Sequence, residues 1–173
     1  PFLTMRLLSE ERRSGTAEML LTSPIRTGEL VLGKYLAGLA AAAVLVLCSL
    51  HYVLFLYIVG EPDGWPIVVG FLGLLLAAAG FVAVGLFASS LSDTPAVAAV
   101  LALGILLALL LLEVWAPGAG PEWEGVLRAL SATGPFRDFS KGVLSLSNVA
   151  YYVSLAALFL FGTARVLESQ RWR

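Results

Sequence analysis

Apolar residues in this chain fall in long unbroken runs. They show neither the strict alternation of a half-buried strand nor the three-to-four-residue rhythm of a helix lying on a soluble core. Four runs stand out, at 35–59, 66–91, 95–115 and 149–167. Each is long enough to cross a bilayer as a helix, which takes about 20 residues. A barrel would alternate apolar and polar positions, and an open strand in lipid would leave backbone groups unpaired, so the runs predict helices. Polar punctuation separates them. Glu61-Pro62-Asp63-Gly64 breaks the chain after the first run, and Ser92-Asp93-Thr94-Pro95 forms a tight turn before the third. Thr94 is placed to cap that helix, with Pro95 at its first position. Asn148 is placed to cap the fourth.

The stretches between the runs have a different pattern. Residues 6–34 are mixed in charge, and 15–22 read as a short helix that Pro24 ends, with Gly15 at its N-cap and Glu18 in its first turn. A further helix starts near Thr27 and runs into the first span. In the 116–148 loop, 122–130 reads as a short amphipathic helix. Phe136, Phe139, Val143 and Leu144 form a second apolar set at helical spacing, and such a loop can dip back into the membrane where protein covers its backbone.

Composition agrees with the pattern. Hydrophobic residues make up 59% of the 173 residues and charged ones 13%, against about 45–50% and about 25% in soluble proteins. Mean hydropathy is +0.90. A soluble fold of this length could not hide so much apolar surface. The net charge of −1 offers no basic footprint for nucleic acid. Eight of the eleven Lys and Arg residues lie at 6–34 or in the tail, at Arg6, Arg12, Arg13, Arg26, Lys34, Arg165, Arg171 and Arg173. The loop at 61–65 has none, and the 116–148 loop has Arg128, Arg137 and Lys141. The bias predicts that both chain ends face the cytoplasm and that these two loops lie outside. The sequence starts at Pro1 with no signal-peptide pattern, and it reads as a piece of a longer protein that lacks its N-terminus.

Candidate chemistry is sparse. Gly28-Glu-Leu-Val-Leu-Gly33-Lys34-Tyr35 imitates a phosphate-binding loop. Tyr35 stands where a magnesium-holding Ser or Thr is needed, however, and no strand precedes it. His51 near the middle of the first span is an intramembrane ionisable group and so a functional candidate. With no carboxylate on the same span, it reads as a packed His satisfied by nearby Ser49 or Tyr52. Glu113 at the outer end of the third span reads as a solvated carboxylate. Cys48, the one cysteine, reads as a small packing residue. Asp63, Asp93 and Asp138 all fall in loops or turns, so no intramembrane aspartate pair can form, and no metal-ligand cluster is legible. Catalytic, metal and cofactor sites are therefore not expected. Small residues four apart, Gly73/Ala77, Gly85/Ser89 and Gly104/Ala108, predict close helix packing.

Met5-Arg-Leu-Leu-Ser-Glu-Glu-Arg-Arg-Ser-Gly-Thr-Ala-Glu-Met-Leu-Leu-Thr-Ser-Pro24, followed by Gly33-Lys34, resembles the ABC-2-type transporter permeases, most of all their gliding-motility branch. The ending Tyr151-Tyr152 with Arg165-Val-Leu-Glu168-Ser-Gln-Arg171-Trp172 fits as well, though the branch often has a second Arg where Gln170 stands. The resemblance implies an all-α polytopic bundle with six spans, of which four lie here and two upstream. It implies segments 1–34 (end of an upstream span and a cytoplasmic coupling loop), 35–115 (three spans), 116–148 (an extracellular loop with short helices) and 149–173 (last span and cytoplasmic tail). It further implies a bacterial inner-membrane exporter subunit with no ATP site of its own, paired with a second permease protomer and a separate ATPase that carries the ATP. The coupling helix that docks on that ATPase would fall on Glu11, Arg12, Arg13, Gly15, Thr16, Glu18, Met19, Leu20, Leu21, Thr22 and Pro24. The physics suits such a role: Met19, Leu20 and Leu21 can enter a groove while the charges pair around it. The residues alone leave open a membrane scaffold that recruits cytosolic partners without a transport path.

Overall fold

The computed structural model describes residues 3–5, 7–9, 27–118 and 120–171, with the backbone alone at 121, 170 and 171. Among them the secondary structure is all helical. In chain order the elements are α1 (Thr27–Cys48), α2 (Leu50–Val59), α3 (Gly64–Leu91), α4 (Pro95–Trp115), a 3-10 turn (Ala116–Gly118), α5 (Pro121–Leu130), α6 (Thr133–Ser140) and α7 (Leu146–Arg171). Among the described residues, four helical stretches are long and apolar enough to cross a membrane: Thr27–Val59, Gly64–Leu91, Pro95–Gly118 and Leu146–Ser169. The protein is thus a polytopic helical bundle.

Helix α3 is its centre. It packs on α7, α4, α1 and α6. Of its most apolar window 39% is buried inside the protein, against 11% for Thr27–Val59. Small residues make this possible. A Cβ on Gly73 would run into the Phe139 side chain, and one on Gly85 into Thr4. Gly38 of α1 lies so close that its Cβ would stand 2.9 Å from Val82 Cγ1. Backbones approach this closely because dispersion is the main attraction left between helices in lipid. Gly104 differs from these. A Cβ there would meet nothing within 4 Å, so the Gly104/Ala108 pair faces away from the described chain.

Among the described residues, two core clusters hold the bundle. One joins Val69, Ala77, Phe139, Tyr152 and Leu155, from α3, α6 and α7. The other joins Leu8, Val31, Leu86 and Leu167, at the end where the described chain begins and ends. The outward surface is apolar. Helix α2 buries no residue, and Leu54 and Ile58 are 68% and 80% exposed. Such a face needs apolar surroundings, which a bilayer supplies.

The first long stretch is interrupted at Ser49. Ser49 Oγ–H donates to Val46 C=O at 2.6 Å, and Tyr52 N–H donates to Ser49 C=O at 3.0 Å, a tighter three-residue step. A serine hydroxyl entering the helical ladder is a recognised cause of such a break.

Local details depart from the sequence reading in three places. Thr94 stands at the N-cap of α4 but makes no side-chain cap bond. Ser92 stitches the turn instead, its Oγ accepting from Thr94 N–H at 3.2 Å and donating to Thr94 C=O at 3.1 Å. Asn148 does not cap the last helix, which begins earlier, at Leu146; its Nδ2–H donates to Asp138 Oδ2 at 2.9 Å. The apolar set beginning at Phe136 does not form one helix through Leu144. Helix α6 stops at Ser140, and Gly142 takes φ +78°, a left-handed turn that glycine adopts without a steric cost.

Candidate functional site

The eleven residues expected to dock on a motor subunit (Glu11, Arg12, Arg13, Gly15, Thr16, Glu18, Met19, Leu20, Leu21, Thr22 and Pro24) lie outside the described residues. What flanks them is described. Before the stretch, Leu8 N–H and Ser9 N–H both donate to Ser89 Oγ, at 3.1 and 3.0 Å, and Ser89 Oγ–H donates to Met5 C=O at 3.1 Å. Ser9 Oγ–H donates to the same carbonyl. Thr4, Ser9 and Ser89 are all buried. This polar knot satisfies backbone groups that lipid could not satisfy. After the stretch, α1 begins at Thr27 and drives Val31 into the core that holds Leu8. The described residues on either side of 10–26 therefore meet in one core cluster, through Leu8 and Val31, with α3 and α7 as its other walls.

The opposite end of the bundle carries the 116–145 connection, which is clasped to the spans at several points. Tyr151 O–H donates to Leu130 C=O at 2.7 Å, and Tyr152 O–H donates to Ala132 C=O at 2.8 Å. Together they fix the corner between α5 and α6. From α4, Leu109 C=O accepts from Ala132 N–H at 3.3 Å, and Leu110 C=O accepts from the Thr133 hydroxyl at 3.2 Å. Trp65 Nε1–H donates to Gly142 C=O at 3.1 Å, tying the start of α3 to the far end of the loop. Arg128 pairs with Glu124 along α5 at 2.7 Å.

Glu113 is not merely solvated. Its Oε1 stands 2.7 Å from Arg137 Nη2, and its side chain is 23% exposed. Its Oε2 is buried with no hydrogen-bond partner among the described residues. The reason is geometric. Glu113 lies one turn beyond Leu109, whose carbonyl holds Ala132 N–H, so α6 brings Arg137 over it. A carboxylate at this depth is stable when a cation answers it.

His51 is exposed on the outer face of the Ser49 break rather than packed inside. Its Nδ1 is hydrogen-bonded to Cys48 C=O, and its ring lies 3.9 Å from that of Tyr52. The preceding carbonyl, not Ser49 or Tyr52, supplies its hydrogen bond, and no carboxylate among the described residues pairs with it. Cys48 is exposed and free. Among the described residues, no three His, Cys, Asp or Glu gather as a metal site would need.

Several contact residues escaped the sequence reading. Ser89 was visible only as the small partner of Gly85. Tyr151 and Tyr152 sit within a span, and their polar tips were a signal, because buried tyrosine hydroxyls find partners. Arg137 read as one loop cation among three.

In the comparisons with known proteins, the family described as ABC-2 family transporter protein matches residues 2–166, which takes in the first three long helices described and most of the fourth. Neither a curated protein nor a solved structure matches the chain.

Proposed function

The chain belongs to the ABC-2 family of transporter proteins, and from that premise we propose that it is the membrane-spanning permease subunit of an ATP-driven exporter whose ATPase is a separate polypeptide. The family match over residues 2–166 carries this reading. The pattern from Met5 to Pro24 supports the finer assignment to the gliding-motility branch and the assignment of Glu11–Pro24 to ATPase docking. Two copies of the permease, or this chain with a close relative, form the path, and two ATPase subunits form the motor. The subunit sits in a bacterial inner membrane with both ends cytoplasmic, in keeping with its basic residues.

The described flanks suggest how force would travel. ATP binding closes the motor dimer and displaces the 10–26 stretch. The described residues flanking that stretch, Leu8 before it and Val31 after it, share a core with Leu86 and Leu167. A push there reaches α3 and α7 together, and packed helices answer by shifting between discrete arrangements.

Replacing Glu18 and Leu20 together (Glu18→Ala with Leu20→Asp) tests the reading in the permease co-expressed with its ATPase. The variant inserts normally, while ATP hydrolysis no longer drives transport. Undiminished coupling would refute the docking assignment. If the permease held a cytosolic protein that hydrolyses no ATP, the chain would be a scaffold instead.

A further inference from the structure

Between α3, α4, α6 and α7 lies a cavity of about 210 Å³. Ala77 and Ala78 leave the hollow by their small size, and the rings of Phe81, Phe136 and Tyr152 wall it. Leu74, Leu110, Ala132 and Thr133 complete the wall, of which Leu74, Leu110 and Phe136 are the exposed members. Leu110 lies about 7.5 Å from the end of α4 and Phe81 about 25 Å from the start of α3, at 1.5 Å per residue. The cavity thus runs within the depth of the roughly 30 Å hydrocarbon layer.

Its lining decides what can occupy it. The polar side chains are Thr133 and Tyr152, and both are already engaged. The Thr133 hydroxyl donates to Leu110 C=O and accepts from Ser131 Oγ–H, and Tyr152 O–H donates to Ala132 C=O. A polar or charged molecule would find no free donor there. Water fares no better, since apolar cavities of about 150 Å³ stay dry and take up hydrocarbon. The volume is below the roughly 300–1,000 Å³ of sites that engulf a drug-sized ligand, so it holds part of a chain. Leu74, Leu110 and Phe136 open the cavity to the outside of the described bundle, where a bilayer supplies acyl chains.

We infer that this cavity is a binding site for the acyl chain of a membrane phospholipid, inserted sideways between α3, α4 and α6. It would brace the α5–α6 corner against the spans from the lipid side. The inference rests on the bundle being immersed in a bilayer and is independent of the ATPase reading.

Reconstitution of the full chain in phosphatidylethanolamine and phosphatidylglycerol vesicles tests it, with a trace of phospholipid carrying a photoactivatable diazirine on one acyl chain. Cross-linked peptides are mapped by mass spectrometry. Labelling at 74–81 and at Phe136 is expected to exceed that on the outward face of α2, at 54–58, severalfold. Ala78→Phe, which fills the hollow, lowers cavity labelling severalfold and leaves α2 labelling unchanged. Should Ala78→Phe fail to fold, the smaller Ala78→Leu applies the same test. Cavity labelling no stronger than that of α2, or indifferent to the filled variant in folded protein, overturns the site. Neither result bears on ATPase coupling, which this assay does not involve.

Discussion

Ser89 uses one hydroxyl to satisfy the backbone N–H groups of Leu8 and Ser9 and to reach Met5 C=O, in a fully buried setting. Leaving buried donors unpaired costs about 1–3 kcal/mol each. Ser89→Ala therefore lowers thermal stability in detergent by a few kcal/mol, whereas Ser169→Ala, on an exposed hydroxyl that bonds only within its own helix, leaves it nearly unchanged. Equal stabilities would remove the knot from the account. A second pair of variants separates packed from open glycines. Gly73→Leu forces a side chain into Phe139 and costs about 1–3 kcal/mol or more by overpacking. Gly104→Leu meets open space and is tolerated, gaining up to about 1 kcal/mol in helix propensity. The small residues were readable in the sequence as pairs four apart. Which pair faced a neighbour was not, because Ala and Gly abound in all four runs and the neighbour at Gly85 is Thr4, far away along the chain.

At the scale of elements, the link between the third and fourth spans is a clasp. Two tyrosines hold its corner, two carbonyls of α4 receive it, and the Glu113–Arg137 pair locks α6 over α4. Arg137→Gln leaves a partly buried carboxylate unanswered, so it destabilises more than Glu113→Gln, which removes the charge itself. A double-mutant cycle returns a coupling of about 0.5–3 kcal/mol, as contacting residues do; a coupling near zero would make the pair incidental. Tyr152→Phe loses one buried hydrogen bond, a loss of about 0.5–1.5 kcal/mol or somewhat more, visible as a lower unfolding temperature. The amphipathic character of α5 was legible from its own residues. The pairing of Glu113 was not, because nothing local to the third run shows which of Arg128, Arg137 and Lys141 the fold returns to it. Asn148 misled for a related reason: as a good capping residue it marked the helix start, but Asp138 offered it a partner beyond the helix.

At the scale of the molecule, the four-helix architecture was legible because lipid removes the usual ambiguity. A run of apolar residues long enough to span has only one way to pair its backbone. The order of packing was less legible. That α3 is the centre follows from glycines and alanines that let α1, α6 and α7 come close, and composition alone does not rank the four runs. The proposed docking stretch rests on resemblance alone, as the pattern from Met5 to Pro24, and its residues lie outside those the structure describes.

The measurement that bears most directly on the central claim is sided labelling of single cysteines in intact cells. The background carries Cys48→Ala, and the probe is a membrane-impermeant maleimide. Asp63→Cys, between α2 and α3, and Gly125→Cys, on α5, are expected to react from outside. Arg12→Cys and Thr94→Cys are expected to react only after the membrane is opened. Reaction of Arg12→Cys or Thr94→Cys in sealed cells, or of Asp63→Cys and Gly125→Cys on opposite sides, would contradict a subunit whose four described spans present the proposed docking stretch to a cytosolic motor.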